Sequence, residues 1–401
     1  MSGIVIIGAG QAGSSLAIKV RALGYDGAVT LIGDEPVPPY QRPPLSKKYL
    51  LGDMALDQLY LCPRDLYTKK LISLRLNTQV KTINSAENSI SIGDETLSYD
   101  HLAFTTGSIP RLLPAAIGGR LDGVFAVRSL ADVDAMQPAF GRGGHVLIIG
   151  GGYIGLEAAA VAAARGLKVT LVEMADRILQ RVACAETSNY FRSLHQSHGV
   201  TILEGVGLER FTGEGHVTGA VLSNGKTLEI DFAIVGVGIL PSTGLAEAAG
   251  LSLNNGIETN SKGQTSVPNI WAAGDCASFP YQDGRIRLES VPNAIDQAKV
   301  VAANMMGAGQ DYTATPWFWS DQYSVKLQIA GLNTGFTDLV VRDSGTACSH
   351  WYYKSGTLLA VDAMNDPRAY MVAKRLIEAG KSADPAIAAD PQSDLKALLQ
   401  G

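Results

Sequence analysis

The stretch "VLIIGGGYIGLEAAA" at residues 146 to 160 is an apolar run, a glycine turn and the start of a helix pattern, and "IVIIGAGQAGSSLA" at residues 4 to 17 has the same plan. In the first copy Gly8, Gly10 and Gly13 follow the run from Ile4 to Ile7, a helix pattern continues to about Leu23, and a second strand, "AVTLIGDE", ends in Asp34 and Glu35. In the second copy Gly150, Gly152 and Gly155 follow Val146 to Ile149, a helix is expected over Leu156 to Arg165, and "KVTLVE" ends in Glu173. A strand, a tight turn, a helix and a parallel strand closed by an acid make the opening βαβ unit of a nucleotide-binding sheet. Meeting that unit twice narrows the fold more than any other feature of the chain.

Each part of the pattern has a physical task. The first glycine permits the tight turn, the second lets backbone approach a pyrophosphate, and the third lets helix and strand pack closely. The helix N-terminus attracts the phosphates, and the acid at the second strand end accepts from ribose hydroxyls. Both copies also end alike. "TLSYDHLAFTTG" (96 to 107) and "TLEIDFAIVGVG" (227 to 238) share Thr, Leu, Asp and Gly in register, and each closes a region of short alternating strands that reads as hairpins. This pattern is that of an internal duplication. Two dinucleotide sites in one chain call for two dinucleotides, and the economical pair is a nicotinamide and a flavin adenine dinucleotide.

Composition excludes other classes. With 401 residues, 46% of them hydrophobic and 18% charged, the chain has the balance of a globular protein of two or three domains. A net charge of -5 argues against nucleic-acid binding. The longest apolar stretch is broken by glycines and Glu157, so no membrane span is expected, and no basic leader precedes the first strand, so the protein reads as cytoplasmic. Cys62, Cys184, Cys276 and Cys348 form no close pair, which removes a zinc knuckle and a sequence-local redox disulfide, and no metal site is expected.

Five further segments carry a resemblance. "YQRPPLSKKYL" (40 to 50), "TTGSIPR" (105 to 111), "IGGGYIGLE" (149 to 157), "NIWAAGDCA" (269 to 277) and "ESVPNAIDQA" (289 to 298) resemble the FAD-dependent ferredoxin reductases of bacterial oxygenase systems. The likeness runs over nearly the whole chain, "PWFWSDQY" at 316 to 323 included. It implies an α/β fold of two Rossmann-like dinucleotide-binding domains, of the glutathione-reductase kind, plus a C-terminal α+β domain. The expected FAD-binding domain comprises residues 1–109 and 239–312, the NADH-binding domain 110–238 and the C-terminal domain 313–401. "GAGQDYTATP" (307 to 316) reads as the linker, and the tail after Gly380 as a loose segment followed by a short helix.

The same resemblance assigns residues. Gly8, Gly10, Ala12 and Gly13 are expected at the FAD pyrophosphate, with Asp34, or its neighbour Glu35, on the adenosine ribose. Arg42 falls on the adenosine side, Lys47 beside the flavin, Asp275 at the ribityl and phosphate region, and Val80, Arg128 and Val291 at further FAD positions. A helix over about Pro292 to Met306, with Ser290 as its cap, is expected to turn its N-terminus to the flavin. Gly150, Gly152, Tyr153, Ile154 and Gly155 form the NADH phosphate turn, and Gly236 and Gly238 close that site. Glu157 is expected near the nicotinamide and Lys47, and Trp319 beside the flavin; Lys47, Glu157 and Trp319 are the candidate catalytic residues. A carboxylate at Glu173 accepts from a free 2'-hydroxyl and repels a 2'-phosphate, which favours NADH, while Arg177 and Arg181 keep NADPH open.

The implied reaction passes hydride from NADH to the flavin and then single electrons to a 2Fe-2S ferredoxin that feeds a heme-thiolate monooxygenase or a Rieske dioxygenase. Such ferredoxins are acidic, and Lys299, Arg64 and Arg375 are candidate steering cations. NADH oxidases and peroxidases of the same fold use a cysteine beside the flavin, and "PYQRPPLSKKYL" contains none. The other alternative is a redox-sensing interaction protein resembling apoptosis-inducing factor.

Overall fold

Both glycine turns sit between a parallel strand and a helix, as their residues imply. In the computed structural model, residues 2–399 are described, and they separate into two compact units. The first runs from the start of the described chain to Gln41 and adds Ala55–Ile109 and Ile239–Pro316. The second combines Arg42–Met54, Pro110–Gly238 and the chain from Trp317 onward.

In the first unit, Gly3–Ile7 is buried throughout and pairs in parallel with Ala28–Ile32 on one side and His101–Phe104 on the other. Ile72–Arg75 and Ile270–Ala272 extend the two edges, giving five parallel strands. Successive side chains of a strand point to opposite faces, and both faces here need a cover. Ile4 and Ile6 pack with Leu16, Ala17 and Val20 of the helix Gln11–Ala22 and with Ala298, Val301 and Ala302 of the helix Val291–Met305. Val5 and Ile7 pack on the far face with Ile90, Leu102, Phe104 and Ile257. The expected linker is tied to this unit: Tyr312 donates its N–H to the Ser261 carbonyl at 2.7 Å and its hydroxyl to Asn293 Oδ1 at 2.8 Å.

The second unit repeats the arrangement. His145–Ile149 lies between Lys168–Glu173 and Phe232–Val235, with Thr201–Glu204 and Val124–Ala126 at the edges, and all pairings are parallel. Its strand order outward from the glycine turn matches that of the first unit. A five-stranded antiparallel sheet follows in the order Trp317–Gln322, Val325–Gly331, Thr357–Met364, Cys348–Lys354, Asp338–Asp343. The helix Pro367–Glu378 covers it through Tyr370, Val372, Ala373 and Leu376 over Trp351 and Val361. The tail is less loose than its composition suggests. The buried Arg342 guanidinium donates to the carbonyls of Pro391 and Ser393, each at 3.1 Å, and two short helical segments, Pro385–Ala389 and Leu395–Leu399, form around that anchor.

Two features of this unit position the candidate site. The segment Arg42–Met54 packs here, with the Tyr49 hydroxyl donating to Asp134 Oδ1 at 2.7 Å. The helix Ala185–Ser197 is held at its start, where the Thr187 hydroxyl donates to buried Asp362 Oδ2 at 2.8 Å and the Cys184 N–H donates to the Tyr352 oxygen at 3.0 Å. No helix among the described residues is long and apolar enough to cross a membrane.

Candidate functional site

The two turns agree in detail. Gly8 and Gly150 have φ of +110° and +104°, a backbone region that L side chains rarely adopt. A Cβ on Gly13 would fall 2.0 Å from the Gly8 carbonyl oxygen, and a Cβ on Gly155 would fall 2.0 Å from that of Gly150. The third glycine of each turn is therefore fixed by contact. Ala12 is buried, and Gly236 supplies the carbonyl that a Cβ on Gly150 would meet at 2.4 Å. At Gly10 and Gly152 a Cβ would meet open space.

Those two middle glycines are the N-caps of Gln11–Ala22 and Tyr153–Ala164, and neither helix has a side-chain cap or an acid in its first turn. Leu130–Arg142, Val291–Met305 and Pro367–Glu378 are capped instead by Ser129, Ser290 and Asp366. The glycine-capped helices thus keep N-terminal N–H groups for an anion at a backbone that can be approached closely. This arrangement fits a pyrophosphate at each turn.

The acids follow. Glu173, at the end of its strand, accepts from the N–H of Gly151 at 2.7 Å through Oε2 and from the N–H of Ala175 at 2.8 Å through Oε1. The carboxylate is held at the turn with lone pairs left over for ribose hydroxyls. Arg177, which kept a 2'-phosphate open, is committed elsewhere: its guanidinium donates to the carbonyls of Ala183 at 2.8 Å and Cys184 at 3.1 Å and to the Ser188 hydroxyl. It braces the loop before Ala185–Ser197. Arg181 is exposed beside Gly238, and Ile154 is also exposed. In the first unit, Asp34 is exposed and Glu35 accepts from the Tyr40 hydroxyl at 2.7 Å.

The remaining expected FAD residues divide between the units. In the first, Asp275 Oδ2 accepts from the Ser108 hydroxyl at 3.0 Å, Val291 opens the helix Val291–Met305, and Val80 is a buried core residue. In the second, Arg42 donates to the Arg128 carbonyl at 2.7 Å, and Trp319 lies half-buried in Trp317–Gln322 with its ring 5.6 Å from that of Trp317. The steering candidates are surface residues: Lys299 lies 3.6 Å from Asp296, and Arg64 and Arg375 are exposed.

Glu157 has the most developed surroundings. It is 3% exposed, Lys47 Nζ lies 3.0 Å from its Oε1, the Ser46 hydroxyl donates to Oε2 at 2.7 Å and the Ser320 hydroxyl to Oε1 at 2.6 Å. Burial pushes its carboxyl above the ordinary range, and Lys47 and the two hydroxyls oppose that rise. Tyr153 packs on Phe318, ring centroids 4.9 Å apart, and its hydroxyl is buried without a hydrogen-bond partner. Ser46, Ser320 and Gln322 are absent from the sequence reading. For the last two the signal is local: in "WFWSDQ" the period of two sets the polar Ser320 and Gln322 on the same face as Phe318.

Known proteins resemble this chain over its whole length. The family model for pyridine nucleotide-disulphide oxidoreductases matches residues 2–298, and that for the reductase C-terminal domain matches 317–399. Rhodocoxin reductase of Rhodococcus erythropolis is 39% identical over 403 residues, spanning 99% of this chain and 94% of that protein. Putidaredoxin reductase of Pseudomonas putida is 39% identical over 406 residues, spanning 99% and 96%. The crystal structure of the covalent putidaredoxin reductase–putidaredoxin complex superposes with a TM-score of 0.96 at 37% identity, covering 100% of this chain and 98% of that one.

Proposed function

We propose, from the premise that the chain belongs to the pyridine nucleotide-disulphide oxidoreductase family, that it is an FAD-dependent reductase that takes electrons from NADH and passes them singly to a 2Fe-2S ferredoxin serving an oxygenase. The observation that carries this reading is the pair of matched, uncapped glycine turns, one in each unit. Bound FAD supplies a carrier that accepts an electron pair and gives electrons up one at a time. The chain supplies binding and electrostatics. Gly8, Gly10, Ala12 and Gly13 hold the FAD pyrophosphate, with Asp34 or Glu35 on its ribose and Val80, Asp275 and Val291 at its further contacts within the first unit. Gly150, Gly152, Tyr153, Ile154 and Gly155 hold that of NADH, with Gly236, Gly238 and Arg181 at its margin. Lys47 provides a half-buried cation that offsets the charge arriving with the electrons, and Glu157 fixes its place.

The four cysteines are free, and none lies in Arg42–Met54, so electrons are not routed through a dithiol. The acceptor is instead a separate small protein, steered by local surface cations on a chain of net charge -5. The cytoplasm is the compartment this reading calls for, because the reaction draws on NADH. Purified, FAD-loaded protein is expected to reduce cytochrome c with NADH slowly alone and many times faster once a cognate 2Fe-2S ferredoxin is added. NADH bleaching the flavin with no ferredoxin raising the rate would overturn the acceptor assignment.

Donor choice follows from Glu173. Removing it by Glu173→Ala takes away a ribose acceptor and a repulsive charge together, a change of about 2–3 kcal/mol between the two donors. The kcat/KM ratio of NADH to NADPH, measured with ferricyanide, is expected to narrow by about 100-fold.

A further inference from the structure

Glu157 stands at the end of a buried line of hydrogen bonds that begins at Tyr323 and passes through His195, Gln322 and Ser320. His195, Gln322 and Ser320 are fully buried. The chemistry of each atom fixes the direction of the line. Gln322 Oε1 can only accept, so His195 Nε2, 2.8 Å away, carries the ring proton. In a neutral imidazole Nδ1 is then the acceptor, and the Tyr323 hydroxyl donates to it at 3.2 Å. Burial keeps the ring neutral, with its pKa pushed down to about 4, a fall that Gln322 opposes and His198 reinforces. At the other side of the amide, Gln322 Nε2 donates to Ser320 Oγ at 3.2 Å, and Ser320 gives its single proton to Glu157 Oε1.

We propose that His195 and Gln322 are positioning residues that keep the Ser320 hydroxyl committed to Glu157. The His195 Nε2–H holds the Gln322 carbonyl, which leaves the amide N–H facing Ser320, and Ser320 must then donate onward to the carboxylate. A flipped amide would present Oε1 to Ser320 and draw its proton away, leaving Oε1 of Glu157 with Lys47 alone. The charged and titratable groups around the two ends are few. Glu157 faces Lys47, whose Nζ lies 3.8 Å from Asp321, and senses Tyr153; His195 faces Tyr323, whose ring stacks on His198 at 3.7 Å. Only the link to turnover rests on the reading that Glu157 serves the NADH reaction.

The test combines a measurement on the unaltered enzyme with three variants. Nitrogen-15 NMR of histidine-labelled holoenzyme is expected to show His195 as the Nε2–H tautomer; an Nδ1–H tautomer would overturn the proposal. In infrared pH titrations, with the acid band of Glu157 identified by its loss in Glu157→Gln, His195→Leu is expected to raise the ionisation midpoint by about one pH unit. His195→Gln, which can place an amide N–H where Nε2 stood, is expected to restore the midpoint. Ser320→Ala removes the last donor without touching the helix and is expected to reproduce the His195→Leu shift. A midpoint unmoved in both His195→Leu and Ser320→Ala would also overturn the proposal. The pH profile of flavin reduction by NADH is expected to move with the midpoint. If the midpoint moves and the profile does not, the positioning role stands and the assignment of Glu157 to the NADH reaction falls.

Discussion

A Gly155→Ala variant is expected to purify with its FAD and to lose most of its reduction by NADH, whereas Gly13→Ala is expected to purify largely without FAD. In each case the new methyl would lie 2.0 Å from a backbone carbonyl oxygen, so the first turn of the helix must move away from its strand. Overpacking of this kind costs about 1–3 kcal/mol and also shifts the N–H groups that face the phosphates. A loss of that size corresponds to about 10- to 100-fold in nucleotide affinity. The two lesions are chemically equal and lie in separate units, so they separate the two nucleotide sites. Released FAD per mole of protein and stopped-flow bleaching by NADH read the two effects independently. Equal loss of FAD in both variants would overturn the assignment of one turn to each nucleotide.

Lys47→Met is expected to have the second large effect, and one that depends on pH. Lys47 is the chief partner that offsets the burial of Glu157, ahead of Ser320 and Ser46. Without it the carboxylate is left buried and unpaired, a change that typically costs about 3–5 kcal/mol. The folded-state pKa of Glu157 is already raised by burial and would rise further. A group with a raised folded pKa binds its proton more tightly in the folded state, so its stability contribution is full in acid and falls as pH rises through the folded value. The deficit of the variant is therefore expected to be small at about pH 4 and largest at about pH 8, read as urea midpoints. An equal deficit at both pH values would show that lost packing, not charge, dominates. Reduction by NADH is expected to slow in the same variant even where it is fully folded.

The residues legible in the sequence are those whose role is local. Gly8, Gly13, Gly150 and Gly155 act within a strand, turn and helix, and Glu173 closes the next strand, so spacing alone exposes them. Ser290 capping Val291–Met305 is legible for the same reason. The surroundings of Glu157 are not. Ser46 is 111 residues before it and Ser320 is 163 after it, and only packing within the second unit brings both hydroxyls to one carboxylate. Arg177 shows the converse: its place four residues after Glu173 keeps a 2'-phosphate open on spacing alone, while its guanidinium donates to the carbonyls of a nearby loop. The order of the tail is not local either, because the buried Arg342 that organises it lies about fifty residues earlier.

The most direct test is an anaerobic titration of FAD-loaded enzyme and excess oxidised 2Fe-2S ferredoxin with NADH, followed by the absorbance and electron paramagnetic resonance of the cluster. The expected result is about two reduced clusters for each NADH consumed, since a pair of electrons is split between one-electron acceptors. A flavin bleached by NADH beside a cluster that stays oxidised would contradict the ferredoxin reductase assignment.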